Sequence, residues 1–69
     1  MATRTYTAAD LRGWRARARL TQAQAAALFG IAQTTYSLWE RGSLPRGFND
    51  RFEQVLLAWY TERMARGEG

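Results

Sequence analysis

Apolar positions recur every three to four residues in four stretches separated by polar or Gly-containing breaks, a pattern that predicts helices and no strands. Over residues 8–18, Leu11, Trp14 and Ala18 share one side, and Thr7 followed by Asp10 offers a reciprocal cap at the start. Residues 22–29 repeat that logic: Thr21 and Gln24 form the cap, the run Ala25-Ala26-Ala27-Leu28-Phe29 favours helix, and Gly30 supplies a left-handed stop. Two turns are unstable alone in water, so this helix must pack on its neighbours. Tyr36 and Trp39, with Ile31 just before them, give residues 33–40 their apolar side. Arg41–Gly47 reads as a loop from its Gly and Pro content, and Asn49 is the expected cap of a last helix reaching about Ala65. Its inward stripe is Phe52, Val55, Leu56, Trp59 and Tyr60. Leu57 and Met64 fall outside it, beside Tyr60, either as scattered surface residues or as a self-association surface.

The side of the third helix opposite Tyr36 and Trp39 is built from Gln, Thr and Ser, with no charge between Gly30 and Trp39. A merely solvated helix usually carries Glu with Lys or Arg there; short polar residues instead suit uncharged hydrogen-bonding partners such as base edges. Counting from Gln22, Ala26 is fifth, Gly30 ninth, Tyr36 fifteenth and Trp39 eighteenth. Ala26 falls where two helices cross, Gly30 in the turn, and Tyr36 and Trp39 where the second helix must be anchored. Two short helices so spaced form a helix-turn-helix.

Composition narrows the chemistry. Sixty-nine residues make one domain, which at this size buries only about 60% of the surface of its unfolded chain. There is no Cys, His or Lys, so all ten positive charges are Arg, and disulfides, zinc fingers, thiol or imidazole catalysis and lysine Schiff bases are excluded. Six scattered carboxylates offer no acid/base pair, so no enzymatic activity, metal or cofactor is expected. A GC-rich coding bias accounts for missing lysine but not for the net charge of +4. Residues 1–47 hold seven Arg and two acids, a net +5, and residues 48–69 hold three Arg and four acids, a net −1. A basic front points to a polyanionic partner. Arg12, Arg15, Arg17 and Arg19 ring the first helix, as solvated surface, as phosphate contacts or in an internal salt bridge. No apolar run is long enough for a membrane span and the start lacks a signal-peptide core, so a cytoplasmic location is expected.

Leu20-Thr21-Gln22, Phe29-Gly30-Ile31 and Trp39-Glu40-Arg41-Gly42 together resemble the Cro and phage-repressor family of helix-turn-helix proteins, also called the xenobiotic-response-element family, over about Leu11 to Gly47. The resemblance implies an all-α, four- to five-helix bundle of the phage-repressor DNA-binding type, with the helix-turn-helix at about 21–40 and a last helix at about 49–65 serving core and dimer contact. It implies base reading by Gln33, Thr34, Ser37 and Leu38. Backbone contacts fall to Gln22, Thr35, Arg41 and Arg46, with Gln22 also supporting Gln33. Arg15 and Glu40 occupy the places of a structural salt bridge, and Leu57, Tyr60 and Met64 are the candidate dimer contact. Four departures stand out: Ala32 replaces a capping Ser or Thr, Ala25 replaces a Leu, Leu38 is apolar where relatives often read a base by hydrogen bonding, so that it touches a thymine methyl or only sugar or solvent, and the last helix is one long element where relatives often have two. The implied function is a sequence-specific double-stranded DNA-binding transcriptional regulator, an autoregulating repressor binding a palindromic operator as a homodimer. Phage, restriction-modification and anti-CRISPR settings fit equally, and no small-molecule ligand or membrane partner is expected. The alternatives are an antitoxin or other module that binds a partner protein through the last helix, and a membrane-surface amphipathic protein. The second lacks basic residues gathered opposite one continuous apolar face.

Overall fold

The computed structural model describes residues 5–67; readings placed on residues 1–4, and on Glu68 and Gly69, lie outside them. The chain is all-α, with helices α1 (Ala8–Ala18), α2 (Gln22–Phe29), α3 (Gln33–Glu40) and α4 (Phe48–Ala65). The first three match the ranges expected from the sequence; local chemistry sets the starts of α1 and α2 and the end of α2. At α1 the Thr7 hydroxyl accepts from the Asp10 amide at 3.2 Å while the Asp10 carboxylate accepts from the Thr7 amide at 2.9 Å. At α2 the corresponding distances for Thr21 and Gln24 are 3.1 and 2.8 Å. Gly30 ends α2 at φ +71°, a left-handed conformation that glycine adopts without steric penalty.

The start of α4 departs from expectation. Gly47, at φ +81°, precedes a helix that begins at Phe48, and no side chain caps it. Asn49 is committed elsewhere: its Oδ1 accepts from the backbone amide of Tyr6 at 2.7 Å, tying the segment before α1 to α4. Phe48, outside the expected helix, is a core residue, whereas Tyr60, expected on the inward stripe, is half exposed. Beyond Trp59 the helix outruns the body it packs on, so its last turns have little to bury against.

Aromatic rings make up most of the core. Trp14, Phe29, Tyr36, Trp39, Phe48 and Phe52 are buried with Leu11, Ala25 and Ala26. Phe29 meets Trp39 edge-on at 5.3 Å, Trp14 meets Phe52 at 5.7 Å, and Phe48 stacks on Phe52 at 5.4 Å. Such offset and edge-on pairs contribute about 0.5–1.5 kcal/mol each beyond the area they bury. Ala25 and Ala26 lie buried on the inner side of α2, where the short side chains permit close approach of neighbouring helices. Among the described residues, no helix is long and apolar enough to cross a membrane.

Candidate nucleic-acid interface

The inward face of α3 is fixed by Tyr36, Trp39 and Glu40, all buried. Its periodicity therefore turns Gln33, Thr34, Thr35 and Leu38 outward, where all four are exposed, with Ser37 half-buried at the edge. This surface carries hydrogen-bonding groups and one apolar side chain, and no charge. At its open end Ala32 sits at φ −70° and ψ 150°, a backbone suited to a cap, but its side chain supplies none. The first amides of α3 are thus left without side-chain acceptors.

The other end is held tightly. The Arg15 guanidinium grips the Glu40 carboxylate through two bonds, Nε to Oε2 at 2.6 Å and Nη2 to Oε1 at 3.1 Å, while its Nη1 donates to the Leu20 carbonyl at 3.1 Å. The Gln22 amide donates to Glu40 Oε1 at 3.0 Å. Burial pushes the Glu40 carboxyl up, but the hydrogen bonds from Arg15 and Gln22 outweigh it and hold the group below the usual glutamate range. The Tyr36 hydroxyl is buried beside this pair without a well-directed hydrogen bond; burial first, then the Glu40 carboxylate, raises its pKa.

Arg15 and Glu40 are therefore joined, and Gln22 completes a three-residue cluster with them. The Gln22 amide donates to Glu40, and among the described residues no hydrogen bond links Gln22 to Gln33. Arg41 and Arg46 are exposed in the loop after α3, and no ion pair joins either to another described residue. Leu57, Tyr60 and Met64 are 62%, 50% and 75% exposed, enough to leave a continuous apolar strip at i, i+3 and i+7 along α4. An open groove of about 340 Å³ lies on α4 against the end of α2, lined by Leu28, Val55, Ala58 and Trp59 and edged by Arg51 and Glu62.

Two arginines escaped the sequence reading as anchors. Arg12 Nη1 donates to the backbone carbonyl of Glu40. Its position one turn before Arg15 was the available signal, since residues three apart share a helix face. Arg51 Nη2 donates to the Phe29 carbonyl at 2.6 Å, and its guanidinium lies 5.5 Å from the centre of the Trp39 ring, so one side chain closes α2 and covers α3. Nothing local in the sequence marks it. No group of three or more acidic residues among those described is placed to hold a metal ion. A family model described as a helix-turn-helix domain matches residues 8–58. No curated protein and no solved structure matches the chain.

Proposed function

The chain belongs to the helix-turn-helix domain family, and from that premise we propose that it is a sequence-specific regulator that binds double-stranded DNA with α3 in the major groove. The observation that carries this reading is the uncharged, exposed face of Gln33, Thr34, Thr35 and Leu38 on a helix pinned from behind by Tyr36 and Trp39. Gln33 reads adenine, because its amide both accepts from N6 and donates to N7; Leu38 covers a thymine methyl; Thr34 and Ser37 meet neighbouring base edges. Gln22 and Thr35 touch the backbone, and Arg41 and Arg46 hold flanking phosphates.

The regulator is a homodimer joined through Leu57, Tyr60 and Met64, and it reads two half-sites centred about 34 Å apart, one turn of DNA. Bound across a promoter it blocks polymerase, and an operator in its own promoter makes it an autorepressor, whether of a phage, a restriction-modification system or an anti-CRISPR operon. The exposed α4 strip favours one other reading, a module that docks a partner protein through this helix.

Selection of a bound site from random sequence, followed by titration of the native chain and Gln33→Ala, tests the proposal. The substitution is expected to reduce discrimination by about 1–3 kcal/mol without unfolding the protein. Specificity that survives it removes α3 as the reader. Sedimentation of Leu57→Glu at micromolar concentration separates the two uses of α4: a dimer that dissociates supports the homodimer, and an unchanged monomer supports a partner protein.

A further inference from the structure

We propose that Arg12, for which the sequence left solvated surface, phosphate contact and internal salt bridge open, is a positioning residue that fixes the angle at which the phosphate-holding loop leaves the reading helix. This inference rests on the DNA-binding reading. The last carbonyls of a helix have no partner within it and must be satisfied from outside. At the end of α3 the chain supplies most of them itself. The Leu38 carbonyl accepts from the amides of Arg41 and Ser43 at 3.1 Å each, and the Trp39 carbonyl accepts from the Gly42 amide at 3.0 Å. The Glu40 carbonyl is served by the Arg12 guanidinium from α1. No basic residue stands in the last turn of α3, so Arg12 also brings the positive charge that the negative end of this helix favours.

Water can satisfy a carbonyl, but it cannot set a direction. Arg12 and Arg15 leave the same face of α1 and take the two halves of one residue, Arg12 its backbone and Arg15 its carboxylate. Arg15 and Gln22 hold the side chain of Glu40; the Arg12 bond adds a hold on its backbone, at the point where the loop departs. Arg41 follows Glu40 directly and Arg46 lies in the same loop, so that hold governs where both guanidinium groups reach. With the first turn of α3 uncapped, the placement of the reading face depends on this end.

The test combines a measurement without DNA and one with it, on Arg12→Ala and Arg12→Lys. In amide hydrogen exchange, Arg12→Ala should speed exchange at Gly42 and Ser43 by about tenfold, the ratio carried by one charge-assisted hydrogen bond, and leave Gly30 at the end of α2 unchanged. In titrations, it should lower the ratio of selected-site to random-DNA affinity by about three- to tenfold while leaving the salt dependence as in the native chain. Arg12→Lys should restore most of both. Unchanged exchange at Gly42 and Ser43 overturns the proposal. So does an equal loss on both DNAs with a salt slope smaller by about one, which would make Arg12 a phosphate contact. If the native chain binds no DNA, the functional reading fails, and the exchange measurement still decides whether Arg12 anchors α3.

Discussion

Helices α2 and α3 are both eight residues long and pack against one another, yet their first turns are held differently. The first end of α2 is settled by its immediate neighbours in sequence, Thr21 and Gln24; at its last, Gly30 turns the chain and Arg51 of α4 serves the Phe29 carbonyl. The first end of α3 has no side-chain cap, and its last is secured by Arg12 and Arg15 of α1 and Gln22 of α2. The scaffold helix is thus started and turned by its own sequence neighbours, whereas the helix with the outward polar face has no such cap and leans on the rest of the fold.

The largest effect should come from the buried anchor. Arg15→Ala strands the Glu40 carboxylate, and unfolding in urea should show a loss of about 3 kcal/mol, the lower part of the range for breaking a buried pair because Arg15 is itself a quarter exposed. A loss below about 1 kcal/mol would place the pair among ordinary surface bridges and dissolve the contrast with α2. The same anchor predicts a pH dependence. Glu40 titrates lower in the folded than in the unfolded chain, so its stabilisation is complete above the ordinary glutamate value of about 4.3 and fades as the pH falls below it. Glu40→Gln should flatten that acid limb; an unaltered limb would assign it to other carboxylates.

Gly30→Ala comes next. An added Cβ meets no atom within 4 Å, so the cost is purely conformational, about 1–2 kcal/mol in thermal or urea unfolding. Thr21→Ala, which removes one half of a local cap, should cost about 1 kcal/mol. The smallest change sharpens the comparison from the other side: Ala32→Ser installs the missing cap on a backbone already shaped for it and should stabilise by about 0.5–1 kcal/mol. No gain would mean that the anchored end already holds all of α3.

The same division explains what could be read from the residues alone. The starts of α1 and α2 and the end of α2 were legible because caps and Gly30 act over a few residues, and α3 was legible from its apolar spacing and the turn before it. The start of α4 was not, because Asn49 answers to Tyr6, forty-three positions away, and because Phe48 sits behind a Gly-Pro loop that conceals a core residue. Tyr60 was misplaced for a related reason: spacing assigns a side to a helix residue but does not say where the neighbouring helices stop. At the candidate site the outward face of α3 followed from its period, whereas the roles of Arg12 and Arg51 depend on carbonyls brought close only by the fold.

The ring-filled core carries a consequence for how this protein can evolve. Aliphatic cores can drift by exchanging one methyl group for another at several sites, but flat rings locked edge to face have few intermediate shapes, and a substitution at Phe29 disturbs Trp14, Tyr36, Trp39 and Phe52 together. Accepted change is therefore channelled toward positions that touch no ring. Gln33, Thr34, Thr35 and Leu38 stand outside the interlocked set, so exchange on the proposed reading face leaves the interior almost unaltered.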